Sequence, residues 1–302
     1  MKGGSFMGHM ISFLCCLPLA VWWTIQVFRR YFKAQKGSSG RHEFISTVFF
    51  PIKRRGGKEL MVDAYCGIVA LVIGIITELM MIPFRSGVIV TVHLIHATIY
   101  AYLAVPCILA VLAHRMKKVF SEMETLLYVT GASAFLVQTI LFYYHSLGRD
   151  GLNARVHKLQ TMVAFATFVT FVCECVCRRT VFLPLARAFF TGLQATWFAH
   201  MAFLLYNPFT EPAVPIKGGM MAGMGESENE EMHNIIMLST VAFSWHAAAV
   251  FFSMMAVGCC IGKYHQKAGL RHEMLTNEDV TSPSNSFENL TTNMDEHMDE
   301  HM

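Results

Sequence analysis

The sequence predicts an all-α, polytopic membrane protein built as a bundle of seven transmembrane helices. Of its 302 residues, 54% are hydrophobic and only 15% are charged, whereas a soluble domain carries about 25% charged residues. The apolar residues gather in seven stretches, and a helix needs about 20 apolar residues to cross the core of a bilayer. These stretches are continuous rather than alternating, so they predict helices and not membrane-spanning strands.

We assign the seven stretches to one transmembrane domain, residues 1–262. The first stretch has no basic start and no small-residue cleavage site, and Arg29 and Arg30 follow it, so it is a span and not a signal peptide. The remaining residues, 263–302, are polar and are predicted to form a disordered tail. The predicted spans are residues 6–28, 61–82, 88–113, 122–145, 157–177, 181–205 and 234–261.

Lysine and arginine predict the orientation, because cytoplasmic loops of membrane proteins are enriched in both. They are frequent after spans 1, 3 and 5 and at the start of the tail. The other side of the predicted bundle carries only Lys2, Arg85, Arg149, Arg155, Lys158 and Lys217. We therefore predict that the N-terminus faces the lumen or the exterior and that the C-terminus faces the cytosol.

Histidines concentrate in the predicted lumenal half of the spans. Each span brings at least one titratable or metal-competent side chain to that half, although such groups are costly in a bilayer and usually face the bundle interior. His145 closes span 4 and His157 opens span 5, so one turn is expected to bring both rings to the same site. The side chains concerned are His9, Glu78, His93, His96, His145, His157, His200 and His246.

Imidazole nitrogens and carboxylates are ligands that zinc takes. We predict a metal site, with zinc favoured, at which three or more of four imidazoles lie within about 5 Å of a common point, a reach set by the zinc–nitrogen bond. Tyr143, Tyr144, Gln138 and Gln194 are expected to supply supporting hydrogen bonds. The predicted ligands are His96, His145, His157 and His246, and the further candidates are His9, Glu78, His93, His200 and Gln194.

Other functions stay open at this point. A zinc-dependent intramembrane lipid hydrolase would use the metal to activate water. A transporter would use the histidines as ligands or proton carriers. A haem clasped by two histidines is less favoured than zinc. A scaffold, trafficking or innate-immune adaptor would use the histidines as a hydrogen-bonded polar core. No GxSxG, P-loop or GxGxxG motif is present, so the sequence leaves open whether the protein is an enzyme.

The predicted partners follow from the same features. Membrane lipids surround the spans, and the tail can carry protein partners, whereas the short basic groups form no patterned face for nucleic acid. No small-molecule substrate is indicated. In the predicted cytosolic half, Glu174 is the polar residue within a span, and we expect it to pair with Arg178 one helical turn further on.

Several motifs resemble the transmembrane protein 45 family: Gly8–His9, "LFYYH" at 141–145, His157, "LQATWF" at 193–198 and "SWH" at 244–246. The resemblance covers roughly residues 7–262. It implies a seven-span protein of Golgi, endosomal or lysosomal membranes, with the plasma membrane as the alternative, and no established activity. It implies metal ligands at His96, His145, His157 and His246, a base or further ligand at Glu78 and a rim residue at His9. His93 and His200 depart from the family pattern.

Overall fold

The computed structural model describes residues 6–35, 43–53, 59–82, 88–116, 122–147, 149, 151–206, 209 and 226–281. Seven α-helices account for most of these residues. Two short strands, β1 (Ile52–Lys53) and β2 (Glu59–Leu60), pair antiparallel between the first and second helices. The helices are α1 Phe6–Gln35, α2 Val62–Met81, α3 Val88–Arg115, α4 Met123–Leu147, α5 Gly151–Val176, α6 Phe182–Tyr206 and α7 Glu226–Thr281.

Each of these seven helices contains a stretch long and apolar enough to cross a membrane. The predicted all-helical architecture with seven candidate spans is therefore confirmed for the part of the chain that the structure describes. The fold is consistent with an integral multi-pass membrane protein. Most helices agree with the predicted spans to within about three residues, while α1, α5 and α7 are longer.

The turn between α4 and α5 is shorter than the sequence suggested. α4 continues to Leu147, and α5 begins at Gly151, where φ is +49°. Glycine has no Cβ and adopts this left-handed conformation without steric cost, so the chain can reverse within a few residues. His145 and His157 therefore lie within helices, on the last turn of α4 and the second turn of α5, rather than in a loop.

The helices differ in how much of their surface they bury. α1 packs chiefly against α6, α4 against α5, and α2 against α3. In the most apolar window of α6, 61% of residues are buried, compared with 6% in the corresponding window of α7. α6 is therefore the central helix, and α7 leaves most of its apolar surface exposed.

The chain divides into two units, residues 1–257 and 258–302, and the features below belong to the first. We predicted a disordered tail from residue 263, but the structure continues α7 to Thr281. The helix ends two residues before Pro283, as expected because proline disfavours the helical conformation of the residue before it. Residues 282–302 lie outside the described residues.

The first unit has two distinct ends. The histidine end is formed by the starts of α1, α3 and α5 and the ends of α2, α4 and α6, and it is packed around Trp197 and Phe198. The arginine end is formed by the opposite helix ends and is packed around Trp23, Tyr128 and Phe50. A polar layer between these two apolar clusters contains three glutamines, described below.

Candidate functional site

Four imidazole rings form a row at the histidine end, which we name the histidine chain: His9, His157, His145 and His96. The ring centres are 5.9 Å apart for His9 and His157, 5.3 Å for His157 and His145, and 5.6 Å for His145 and His96. The four rings come from α1, α5, α4 and α3. The fold thus brings together three of the four predicted ligands, and His9 with them.

Glu78 anchors one end of the histidine chain. Its Oε1 lies 3.1 Å from Nδ1 of His96, and its Oε2 lies 2.5 Å from Nδ1 of His93. The carboxylate is buried, and both partners lie on the facing helix α3 one turn apart. A neutral imidazole that donates its Nδ1 hydrogen keeps its lone pair on Nε2. Glu78 therefore fixes the tautomer and orientation of His96.

The two histidines beside the turn have different partners. His157 donates from Nδ1 to the backbone carbonyl of Asn153 at 2.8 Å, which leaves its lone pair on Nε2. His145 instead accepts a hydrogen bond at Nε2 from Nη2 of Arg149 at 2.5 Å. Because that lone pair is engaged and a guanidinium stands beside it, His145 presents no ligand atom at Nε2 in this arrangement.

His246 lies apart from the histidine chain. Its Nε2 is 3.3 Å from Nδ1 of His200, and Trp197 stacks on His200 with ring centres 4.8 Å apart. Trp197 is fully buried and donates from Nε1 to the backbone carbonyl of Val156 in α5. This indole fills the space between α5 and α7. His246 therefore lies outside the site that we predicted it would share with the other three ligands.

A cavity of about 70 Å³ lies beside the histidine chain. A single water needs roughly 10–15 Å³ by this measure, so the cavity has room for several waters or a small head group. Helices α1 to α6 all contribute to its wall, most of which is apolar. The polar side chains that line it are Ser12, Tyr100, His9, His96, His157, Gln138 and Gln160.

Within the ranges that the structure describes, no group of three or more His, Cys, Asp or Glu side chains is placed so as to hold a metal ion. His9, His96 and His157 nevertheless line one cavity. A metal bound there would need side-chain adjustment or ligand atoms from water.

Three glutamines form a polar ladder at the floor of this cavity. Oε1 of Gln194 accepts hydrogen bonds from Nε2 of Gln138 at 3.0 Å and from Nε2 of Gln160 at 3.1 Å. Nε2 of Gln194 donates to the hydroxyl of Thr167 at 2.9 Å. All three amides are buried, and Oε1 of Gln138 and of Gln160 have no hydrogen-bond partner within the described residues. Gln194 does not line the cavity and is not part of the histidine chain, but it binds the two glutamines that do line the cavity.

Two predicted supporting residues face the other way. The side chains of Tyr143 and Tyr144 are 50% and 66% exposed, so they point outwards from α4. Gln138 is the predicted supporting residue that does reach the cavity. Gln160, Arg149 and Tyr100 were not predicted, although a polar residue inside a predicted span, such as Gln160, is itself a signal.

Comparison with known protein families adds one match. Residues 124–259 match DUF716, described as a family of unknown function. Proteins of the transmembrane protein 45 family carry this domain, so the match supports the resemblance noted from the motifs at its coarser level. The matched region runs from the start of α4 into α7. It contains His145, His157 and the glutamine ladder, whereas His9, Glu78 and His96 precede it.

The DUF716 match also contains a buried ion pair at the arginine end. Arg187 in α6 donates from Nε to Oε2 of Glu174 in α5 at 2.8 Å, and both side chains are 0% exposed. We expected Glu174 to pair with Arg178, but Arg178 donates to the backbone carbonyl of Ser46 instead. Arg187 was missed, although an arginine about one turn inside a predicted span is unusual. The two charges meet because the end of α5 packs beside the start of α6.

The ion pair holds a non-helical segment, residues 46–50, which we name the buried segment. Arg187 donates to the carbonyls of Thr47 and Val48 at 2.9 and 3.0 Å. The hydroxyls of Ser46 and Tyr128 both donate to Glu174. Non-helical backbone is tolerated at membrane depth only where the protein satisfies its polar groups. The guanidinium and the carboxylate do that here.

Two further carboxylates bind the backbone of the buried segment. Oε1 of Glu124 in α4 accepts from the N–H of Val48 at 2.8 Å, and Oδ2 of Asp63 in α2 accepts from the N–H of Phe50 at 2.8 Å. Val48, Phe49 and Phe50 are all buried. The buried segment is therefore part of the core of the arginine end and not a surface loop, which gives this end a structural role.

Proposed function

We propose that this chain is a multi-pass membrane protein that binds a divalent metal ion, with zinc favoured, beside the cavity at the histidine end. The ligands are His96 and His157, and His9 is the third candidate. One observation carries the proposal: Nδ1 of each of the two ligands is engaged, by Glu78 and by the carbonyl of Asn153. Metal-binding histidines almost always donate the other ring N–H to such an acceptor.

The spacing of the rings supports the same ion. Two imidazoles on one tetrahedral zinc, with bonds of about 2.0–2.1 Å, have ring centres roughly 5 Å apart. The neighbouring rings of the histidine chain are 5.3–5.9 Å apart, which suits a shared ion for the neighbours His9 and His157. His96 and His157 flank His145 on either side, so their side chains must rotate towards each other to share one ion. His145 joins the ligands only if Arg149 leaves its Nε2. His246 stays outside this set because it is paired with His200.

Glu78 acts in this proposal as a positioning residue. It holds the rings of His93 and His96 and does not line the cavity, so it is poorly placed to activate a water there. The geometry therefore favours metal binding over zinc-dependent hydrolysis, and no catalytic step is proposed. A haem is less favoured as well, because a cavity of about 70 Å³ is far smaller than the pockets of about 300–1,000 Å³ that drug-sized ligands occupy.

Elemental analysis of the purified protein tests the proposal. The protein in detergent is equilibrated with zinc, desalted and measured by inductively coupled plasma mass spectrometry. We expect near-stoichiometric zinc in the unaltered chain and its loss in His96→Ala and His157→Ala. Glu78→Gln should weaken zinc affinity by about 10- to 100-fold, because it removes the charged acceptor that orients His96.

The matched control is His246→Ala, which removes an imidazole from the other side of Trp197. This variant should retain its zinc. An unaltered chain that binds no zinc after equilibration would contradict the proposal, and so would equal loss of zinc from His246→Ala and His96→Ala. In both cases thermal unfolding of each variant shows whether it is still folded.

A membrane scaffold or adaptor is the second candidate function. It is favoured by the pairing of histidines with other side chains: His145 with Arg149, His93 with Glu78, and His246 with His200. In a scaffold these hydrogen bonds would form a structural polar core, and partners would bind elsewhere, for example on the polar tail. The absence of bound zinc, with destabilisation of His96→Ala, would favour this function.

The orientation and the location belong to the same proposal. The lysine and arginine distribution supports an N-terminus in the lumen or the exterior and a cytosolic tail. On this orientation the histidine end with its cavity lies in the lumenal half of the bundle, and the arginine end lies in the cytosolic half. The family resemblance supports Golgi, endosomal or lysosomal membranes as the location.

A further inference from the structure

We infer that the cavity at the histidine end binds the diol head group of a single-chain lipid, with Gln138 and Gln160 as its hydrogen-bond partners. This goes beyond the metal proposal and does not depend on it. Three observations support the inference: two unpartnered amide oxygens, an apolar wall, and the limited contact between α1 and α2, which both line the cavity.

The amides of Gln138 and Gln160 each keep one polar end without a partner among the residues that the structure describes. Both donate to the same oxygen of Gln194, so their own Oε1 atoms are left over, and both side chains are at least 96% buried. If all three amides were rotated by 180°, the two Nε2 atoms would be left over instead. A buried polar atom without a hydrogen bond is costly, so a partner in the cavity is expected.

A hydroxyl group fits these amides in either orientation, because it can both donate and accept. An ammonium group can only donate, so it fits one orientation. Two hydroxyls close together, as in a vicinal diol, would supply one hydrogen bond to each of the two amides. In the metal-free protein, Nε2 of His157 keeps its lone pair and offers a further acceptor in the same cavity.

The rest of the cavity wall suits an acyl chain more than a free polyol. Phe142, Phe198 and Met201 line it, and aliphatic side chains supply most of the remainder. Burying such a wall against a polyol would leave hydroxyl groups without partners, whereas a hydrocarbon chain gains free energy there. The ligand therefore has a small polar head and an apolar tail.

The tail has a route out of the bundle between α1 and α2. Cys16 of α1 and Leu71 of α2 both line the cavity, yet these two helices contact each other far less than α1 contacts α6 or α2 contacts α3. α2 also leaves Val69, Ile73 and Ile76 exposed on its surface. A chain that leaves the cavity between α1 and α2 would reach the surrounding lipid directly.

Photolabelling in vesicles tests this inference. The full-length protein is treated with chelator and reconstituted in phosphatidylcholine vesicles, so that the result does not depend on bound metal. The probe is a monoacylglycerol whose acyl chain carries a diazirine and an alkyne. The comparison compound is the propyl ester of the same acyl chain, which has the same size but no hydroxyls. Labelled peptides are identified by mass spectrometry.

We expect the diol probe to label peptides of α1, α2 and α3 that line the cavity. The propyl ester should label them about tenfold less, the loss expected for one or two hydrogen bonds to buried partners. Gln138→Met and Gln160→Met should each bring labelling by the diol probe towards the level of the propyl ester. Methionine has a similar shape but offers no strong hydrogen-bond donor or acceptor.

Thr167→Val is the matched control variant. It removes a hydrogen bond from the same glutamine ladder, but Thr167 does not line the cavity. Labelling of Thr167→Val should equal that of the unaltered chain, while its melting temperature falls by a similar amount to that of the glutamine variants. Equal labelling by the diol and the propyl ester would overturn the inference, and so would the absence of label from the cavity peptides.

Discussion

Arg187 illustrates how one residue determines local structure in this fold. Its guanidinium is fully buried, pairs with Glu174, donates to two backbone carbonyls and lies 4.2 Å from the ring centre of Trp23. Removing two charges from water is costly, so a buried pair does not by itself indicate a large stabilisation. Removing one partner, however, leaves the other charge buried and uncompensated.

We predict that the single substitution Arg187→Met strongly destabilises the protein. The variant leaves the Glu174 carboxylate buried without its cation and leaves two carbonyls of the buried segment without their donors. The expected loss in the free energy of unfolding is about 3–5 kcal/mol. It is measured by thermal or denaturant unfolding of the purified protein in detergent.

The control for this prediction is Arg179→Met. Arg179 pairs with Glu43 across the surface, where the two side chains are 81% and 60% exposed, so screening by water and salt reduces the interaction. The expected effect is at most about 1 kcal/mol. Adding Glu174→Leu to Arg187→Met should recover part of the loss, because no lone charge then remains. Similar destabilisation by Arg187→Met and Arg179→Met would contradict the role assigned to the buried pair.

Single residues were predicted best where chain connectivity decided their position. The short distance between His145 and His157 follows from one turn between two helices, and the structure places their ring centres 5.3 Å apart. Arg149 and the carbonyl of Asn153 could not be assigned as their partners, because hydrogen bonds depend on rotamers and helix phase. Glu174 was paired with the wrong arginine for the same reason: helix spacing favoured Arg178, but tertiary packing favoured Arg187.

Helices α4 and α5 approach closely at Gly131. A Cβ atom added there would lie 2.5 Å from Cε1 of Phe171, closer than such contacts occur. The absence of a side chain at this position therefore allows the ring of Phe171, which is itself buried, to pack against α4. The contact lies near Tyr128 at the arginine end.

At the level of helices we predict that Gly131→Ala destabilises the α4–α5 pair. Overpacking of a close contact typically costs about 1–3 kcal/mol, because the ring or the backbone must shift. The measurement is the melting temperature of the purified variant. Its matched control is Gly192→Ala on α6, whose added Cβ would lie 3.2 Å from Cγ1 of Val250, so the neighbour needs to move much less. If the two variants melt at the same temperature, the close approach of α4 and α5 does not matter for stability.

Helix positions were predictable because hydropathy depends only on local sequence. Most of the predicted spans match the observed helices within a few residues, and the main differences occur at α1, α5 and α7. α5 begins before its apolar stretch because Gly151 starts a helix whose first turns are polar. The buried segment could not be predicted, since its residues alone do not say that carboxylates on α2 and α4 will accept its backbone hydrogen bonds.

For the whole molecule, the proposed orientation makes a testable prediction about glycosylation. The chain has an Asn-Leu-Thr acceptor sequence at Asn289 in the tail. We expect this site to stay unmodified when the protein is made in mammalian cells, because the tail is proposed to be cytosolic. A glycan shifts the electrophoretic mobility, and the shift is reversed by a glycosidase.

The control is an acceptor sequence introduced between residues 207 and 225, on the proposed lumenal side. This variant should be glycosylated, which shows that the chain reaches the modifying enzyme. Modification at Asn289 without modification in the 207–225 region would reverse the proposed orientation. The histidine end would then face the cytosol, where the ions and lipids available to it differ.

Arrangement in space was the least predictable property of the molecule. The seven apolar stretches imply seven helices, but their sequence does not state which helices touch. His246 was grouped with the other histidines on depth alone, whereas Trp197 fills the space between α5 and α7 and so separates them. The low burial of α7 follows from the same packing, because α6 occupies the centre.

The buried segment also constrains the order in which parts of the protein can pack during synthesis. Val48 and Arg187 are 139 positions apart in the chain, so a ribosome synthesises the segment long before its last partner. During that interval the carboxylates of Asp63 and Glu124 can bind the N–H groups of the segment, but its carbonyls lack the guanidinium that completes the hydrogen-bond network. The arginine end can therefore close only after α6 has been inserted. A chain that stops before α6 would lack the cation that pairs with Glu174, and an unpaired charge is a feature by which cellular quality control can recognise an unfinished membrane protein.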